Sequence, residues 1–265
     1  MKIAVVGKGG VGKTFIAGTI ARSLAAKGRT VVAIDADPAM NLAYSLGIPY
    51  SEARLIVPLS ENLDLVEERT GARPGTTGSV FNLTPKVYDI VEKYGTPGPD
   101  GVRLLVLGTV KAAGAGCMCP ANALLRALLR HHLVRRDEDL VVDTEAGLEH
   151  FGRGVVKGFD VLLDIVEPRG QSIQTGLRAA ALARELQVKR TLFIGNKVKD
   201  EAEEKFLRDA LSAEAVSPFS IVPYDPQLEQ ADMARVAPID YAPSCKAVAK
   251  VRELAELLEK GQTSR

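Results

Sequence analysis

Charge of one sign is what this chain most clearly lacks. Its 265 residues hold 34 Lys and Arg against 33 Asp and Glu, a formal net charge of +1, with the basic residues scattered among the acids. A protein held to nucleic acid through phosphates needs a basic stripe or a strongly basic total, so nucleic acid is not an expected partner. Cysteine is scarce as well. Three cannot build a disulfide framework in a chain of this length, and in a reducing compartment they read better as thiols or metal ligands. No apolar run approaches the ~20 residues that span a bilayer. The chain enters an apolar run within two residues of Met1, with no charged and apolar leader before it, and a cytoplasmic protein is expected. Linkers, repeats and low-complexity segments are also missing, so one domain over residues 1–265 is expected, and 46% hydrophobic composition gives it a sizeable core.

What is present is concentrated in the first fourteen residues. The apolar run Ile3-Ala4-Val5-Val6 breaks into Gly7-Lys8-Gly9-Gly10-Val11-Gly12-Lys13-Thr14 and then takes up a helical pattern. This is a strand, a G-x-x-x-x-G-K-[ST] phosphate loop and a helix. Its glycines let successive backbone N–H groups converge on a phosphate, where the helix N-terminus adds its positive end. Lys13 would reach the β- and γ-phosphates and the Thr14 hydroxyl would sit on Mg²⁺. Gly7, Gly9 and Gly12 also spell G-x-G-x-x-G, with Asp35 near the distance at which a dinucleotide fold holds a ribose. Such a fingerprint has no use for a Lys-Thr pair directly after its last glycine, and a Mg²⁺-nucleotide site needs both.

From there the chain alternates. Phe15 to Lys27 carries Ile16, Ile20, Ala21 and Leu24 on one helical face, stopped by Gly28, and Thr30 to Ile34 is a buried strand ending at Asp35. Residues 36 to about 62 are irregular, Leu63-Asp64-Leu65-Val66 alternates like a short strand, and Pro85 to Tyr94 reads as a short helix between two loops. Strands are predicted at Val102 to Gly108, Asp139 to Asp143, Val161 to Val166, Arg190 to Ile194 and Val216 to Val222. Helices are predicted at Ala121 to Leu133, Ser172 to Leu186, Glu201 to Leu211 and Cys245 to Glu259. The pattern predicts an α/β fold, a doubly wound, mainly parallel sheet with helices on both faces. The last helix has no bulky aromatic on its apolar face, so packing on the sheet is expected rather than membrane binding.

Further residues stand where chemistry is done. Asp35-Ala36-Asp37-Pro38 leaves the second strand at the ligand edge of a parallel sheet, next to the phosphate loop. Val141-Val142-Asp143 is an apolar strand ending in an acid, followed by Thr144-Glu145-Ala146-Gly147. Gly116-Cys117-Met118-Cys119-Pro120 lies between a strand and a helix. Two thiols at i, i+2 supply two corners of a tetrahedron, and a protein that dimerised face to face would supply four. A disulfide within this pair would close a very tight ring and is disfavoured. Two buried small hydrophobes are the simpler alternative for the same residues. Cys245, His131 and His132 are expected in the core, and His150 is the one histidine set among chemistry-bearing neighbours.

With Lys8, the loop K-G-G-V-G-K-T resembles the deviant Walker A motif of the ATPase family that includes MinD, ParA and the nitrogenase iron protein. The resemblance implies a P-loop ATPase fold and a homodimer, in which Lys8 crosses to the partner's nucleotide. It implies that backbone from Gly9 to Phe15 holds the phosphates and that Asp37 positions the attacking water while Asp35 supports the metal's water shell. It further implies that Asp143 holds Mg²⁺ through water and Gly147 meets the γ-phosphate. Asn196 and Lys197 would recognise adenine and Pro223 would close over it; the sequence Asn196-Lys197-Val198-Lys199 lacks the final Asp of guanine-specific relatives, so ATP is implied over GTP. Phe15 departs from the pattern, because the family usually has a hydroxyl there for the α-phosphate. With the Cys-x-Cys pair and the run from Asp143 to Gly154, the chain from the phosphate loop to Asn196 resembles the CooC-type nickel-insertion ATPases of carbon monoxide dehydrogenase maturation. The accessory ATPases of acetyl-CoA synthase are the nearest alternative. This implies a client nickel enzyme, and Ni²⁺ or Zn²⁺ held between subunits by Cys117 and Cys119. An iron–sulfur reductase would need a further cysteine after Asp143, where this chain has Glu145, Glu149 and His150.

Overall fold

Lys2–Val6 (β1) is buried along its whole length and forms the centre of an eight-stranded sheet in the computed structural model, which describes residues 1–75, 80–108, 119–145, 156–214, 216 and 218–263. Its neighbours are Asp139–Thr144 (β5) and Val161–Val166 (β6), both parallel to it. Beyond β5 lie Val31–Ala36 (β2), Arg103–Val106 (β4) and Thr96–Pro97 (β3); beyond β6 lie Thr191–Val198 (β7) and Pro218–Pro223 (β8). The order is β3-β4-β2-β5-β1-β6-β7-β8, and only the β3–β4 pair is antiparallel. Strands buried on both faces need apolar residues at odd and even positions alike, and the unbroken runs such as Val161-Leu162-Leu163 meet that need.

Helices cover both faces. On one, Ile3 and Val5 pack with Ile16, Ile20 and Leu24 of Lys13–Ala25 (α1) and with Val248, Val251, Leu254 and Leu258 of the final helix, Lys246–Thr263. On the other, Ala4 and Val6 pack with Leu124, Leu128 and Leu129 of Cys119–Val134. The chain between β2 and β4 differs from the expectation. Leu63–Thr70 is a helix, not a strand, because Asn62 caps it by accepting the Leu65 N–H at 3.0 Å, and Leu65 and Val66, adjacent in sequence, are both buried on the helix face. The helix expected from Pro85 is confined to Ile90–Tyr94. Leu42–Leu46 (α2) and Tyr50–Ala53 (α3) form short helices in the stretch read as irregular. Taking helices in chain order, Leu63–Thr70 is α4, Ile90–Tyr94 α5, Cys119–Val134 α6, Gly170–Glu185 α7, Glu201–Ser212 α8, Pro226–Ala234 α9, Pro238–Tyr241 α10 and Lys246–Thr263 α11.

Arg22 of α1 ties distant parts together. Its guanidinium is buried and donates to the Leu46 carbonyl at 3.0 Å, to Asp240 of α10 at 2.8 and 3.0 Å and to Asp100 at 2.5 Å. Gly47 lies against this cluster with φ 88, where a Cβ would come within 2.7 Å of an Asp240 carboxylate oxygen. Both the left-handed backbone and the close approach need glycine there.

Candidate nucleotide-binding site

The loop from Gly7 to Gly12 connects β1 to α1 at the carboxyl edge of the sheet, where β5 and β6 diverge on either side of β1. Ligands of open α/β sheets bind in such crevices. Gly7 has φ 140, and a Cβ there would overlap the Ile165 carbonyl oxygen; Gly12 has φ 96, and a Cβ there would overlap the Asn196 amide. The glycines therefore serve close packing of the loop as well as its turn. No side chain caps the N-terminus of α1, so its first N–H groups stay available for an anion.

Lys13 is buried, and its ammonium donates to the Lys8 carbonyl at 3.3 Å. Burial lowers its pKa, and the charges of Asp143, Asp37 and Glu145 act against that shift. Beside it, the Thr14 hydroxyl donates to Asp143 Oδ2 at 2.6 Å. Asp143 is fully buried, burial pushes its carboxyl up to about 7, and its Oδ1 has no hydrogen-bond partner among the described residues. An unpaired oxygen on a buried acid next to a threonine hydroxyl is the donor set a hard divalent cation takes, so these residues fit Mg²⁺. Register places Asp35 directly opposite Asp143 on the adjacent strand. Burial raises Asp35 to about 6, and its two oxygens accept the N–H groups of Asp37 at 3.1 Å and Leu42 at 2.9 Å. Its visible work is to shape the loop that carries Asp37. Asp37 is half-buried and accepts the Ala39 N–H at 2.8 Å.

In this structure Asn196 and Lys197 brace the phosphate loop. The Asn196 amide donates to the Val11 carbonyl at 2.7 Å, and the Lys197 ammonium donates to the Gly10 carbonyl at 2.6 Å while pairing with Glu167 at 2.9 Å. Both still border a cleft of about 710 Å³ that starts at Gly12 and Thr14. Phe15 also lines it, at the position where the resemblance implies a hydroxyl. Pro223 is not in this cleft. It lines a separate hollow with Lys199, Arg208 and Lys250, whereas the far wall of the cleft beside Gly12 is made by Leu228, Arg235 and Val236. Those residues and Tyr44 and Tyr50 opposite were missed. Asp225-Pro226 was the available signal, since a cap residue followed by proline opens a helix, and Asp225 accepts the Gln227 N–H at 3.1 Å at the start of α9.

Lys8 is exposed and donates to Gln171 at the start of α7, at 2.9 Å. Gly147, His150 and Cys117 lie outside the described residues. Cys119 opens α6 at the surface. A disulfide sulfur does not ligate metal, so metal binding through this residue requires the reduced form. Among the described residues no group of three or more His, Cys, Asp or Glu side chains could hold a metal ion, a number that a half-site of two sulfurs would not reach. Cys245 is buried in the core, as is His132, whose Nδ1 lies 2.5 Å from Glu138. No helix among the described residues is long and apolar enough to cross a membrane.

One buried acid takes no part in this cluster. Asp164 of β6 lies under α7 beside Gly176, without a hydrogen-bond partner among the described residues, and burial pushes its carboxyl up to about 8. An unfolded aspartate titrates near ~3.9. Between those values the folded protein holds a proton that the unfolded chain has lost, so this group's contribution is fully present below pH ~4 and is lost as pH rises through 8. Asp164→Asn is expected to melt close to wild type at pH ~4, above it at pH ~6, and about 5 °C or more above it at pH ~9, because wild type loses this stability progressively between the two pKa values. Thermal melts of both proteins across that range test this.

Residues 2–239 match the family described as the CobQ/CobB/MinD/ParA nucleotide binding domain. The chain is 43% identical over 260 residues to the carbon monoxide dehydrogenase accessory protein CooC of Rhodospirillum rubrum, covering 98% of this chain and 97% of that one. It is 44% identical over 229 residues to an uncharacterised ATP-binding protein of Methanocaldococcus jannaschii, covering 86% and 87%. In fold it is similar to the septum site-determining protein MinD of Pyrococcus horikoshii, solved with Mg-ADP, with a TM-score of 0.70 at 19% identity over 98% of this chain and 96% of that one.

Proposed function

We propose, from the premise that the chain belongs to the CobQ/CobB/MinD/ParA nucleotide-binding domain family, that it is an ATP-driven metallochaperone acting as a homodimer. The family and the CooC relative support an ATP-binding, CooC-like role. The finer reading is that one ATPase domain, residues 1–265, helps to insert nickel into carbon monoxide dehydrogenase or a related nickel enzyme. The observation that carries it is 43% identity to CooC over nearly the whole of both chains, a match too long to reflect the phosphate loop alone.

In this reading backbone N–H groups from Gly9 to Phe15 and the Lys13 ammonium hold the phosphates of ATP. Thr14 and Asp143 would hold Mg²⁺, which neutralises charge that develops on the phosphates. Asp37, carried on the loop that Asp35 shapes, positions the attacking water. Gly147 meets the γ-phosphate, Asn196 and Lys197 stand behind the base, and Lys8 reaches the partner's nucleotide. Nickel or zinc is the cargo. Cys117 and Cys119, once reduced, give two thiolates per chain and four per dimer, which fill a tetrahedral site.

The test is metal per chain by elemental analysis under reducing conditions, with oligomeric state recorded for each sample. One metal per dimer is expected for wild type and for Cys245→Ala, and loss of stoichiometric metal for Cys117→Ala and Cys119→Ala with ATP binding intact. Full metal in the Cys117 or Cys119 variants, or one equivalent held by a monomer, would overturn the metallochaperone reading in favour of a MinD-type role in spatial organisation.

A further inference from the structure

The cleft beside the phosphate loop has two walls. One is α2 and the start of α3, bearing Tyr44 and Tyr50; the other is the end of α9 and the turn after it, bearing Arg235. At the base a single buried side chain holds both walls to α1, since Arg22 donates to the Leu46 carbonyl behind one and to Asp240 behind the other. At the rim the walls meet by different chemistry. The Arg235 guanidinium lies 4.6 Å from the centroid of the Tyr50 ring, and that ring stacks on Tyr44 at 5.4 Å with 23° between the planes. Tyr50 is 45% exposed and Arg235 is exposed as well.

Two features set this contact apart from a chance surface pair. Arg235 ends α9 with φ 56, a left-handed backbone that favours glycine, so the chain keeps a guanidinium at a position where glycine would be less strained. Phe15 supplies no hydroxyl to an α-phosphate, which leaves more of the grip on a nucleotide to its nucleoside end, where this contact lies. Bidentate charged bonds at a buried base hold more firmly than one cation–π contact in water. The cleft is therefore built to yield at its rim and not at its base.

We propose that Tyr50 and Arg235 form a strap across the mouth of the cleft that sets how long a nucleotide stays bound. The proposal rests on the reading of this cleft as the nucleotide site. A bound base and ribose would lie behind the strap, and release would require the guanidinium to leave the ring.

The test is the release rate of isotopically labelled ADP, chased with unlabelled ADP, from wild type, Tyr50→Ala, Tyr50→Phe, Arg235→Gly and the Tyr50→Ala/Arg235→Gly double variant. Release about two- to five-fold faster is expected for Tyr50→Ala and for Arg235→Gly, with the double variant no faster than either, because one contact is lost in all three. Tyr50→Phe keeps the ring face and should release at the wild-type rate. Wild-type release from either single variant, equal release from Tyr50→Phe and Tyr50→Ala, or multiplied effects in the double variant would each overturn the strap. If folded wild type retains no label, the nucleotide reading fails together with it. If wild type retains label and Lys13→Ala does not, the site stands and the rim variants decide the strap alone.

Discussion

Lys13→Ala is expected to weaken ATP binding by about 10³-fold, or ~4 kcal/mol, whereas Asp37→Ala leaves ATP affinity near wild type and slows hydrolysis. The difference lies in what each side chain meets before the reaction. Lys13 is buried, and its ammonium's hydrogen bond among the described residues is a 3.3 Å contact to a loop carbonyl. The cost of stripping its ammonium of water is met when the protein folds, so an incoming phosphate finds a desolvated cation already in place. Alanine removes that cation and leaves Asp143, Asp37 and Glu145, the acids whose charges now act on it, without it. Asp37 is half-buried on the loop after β2, and its carboxylate accepts the Ala39 N–H. In its proposed role it meets the attacking water and not a phosphate before the reaction, so its loss should leave binding intact. Equilibrium binding and single-turnover hydrolysis on both variants separate the roles, and an equal loss of affinity in the two would remove Asp37 from the hydrolytic step.

Lys8→Ala is expected to abolish nucleotide-dependent dimerisation and to lower kcat by a factor on the order of 10³, the effect of a cation supplied in trans to a phosphoryl-transfer transition state. Within one chain Lys8 is turned to Gln171 at the start of α7, an exposed bond to a neutral acceptor worth about 1 kcal/mol. That is a small barrier to releasing the side chain toward a partner. Sedimentation with and without ATP, alongside turnover, provides the measurement. A variant that dimerises and turns over normally would return Lys8 to the role of a solvated loop cation.

The phosphate loop was legible in the sequence because its chemistry is local. The glycines, Lys13 and Thr14 are neighbours in the chain, and their spacing alone carries the backbone turn and the side chains to one phosphate. The order of strands and helices was legible for a similar reason, since burial on both faces imposes runs such as Leu162-Leu163 that no loop would keep. Leu63 to Val66 misled because four residues are too few to separate alternation from a helix face, and Asn62, which decides it, lies outside the apolar pattern.

The sequence by itself thus determined the phosphate-loop motif and that the sheet is mainly parallel, and it supplied the residues proposed to meet a phosphate, a cation and an attacking water. Only the tertiary structure decided the rest of the site. Asn196 sits against Val11, 185 positions away, and register puts Asp35 opposite Asp143. Tyr50 meets Arg235 across a cleft whose base Arg22 closes through Asp240, 218 positions distant. No periodicity encodes such pairs. They come from the order in which strands enter the sheet, and that order is set by the packing of whole helices on its two faces, which no single stretch of the chain contains.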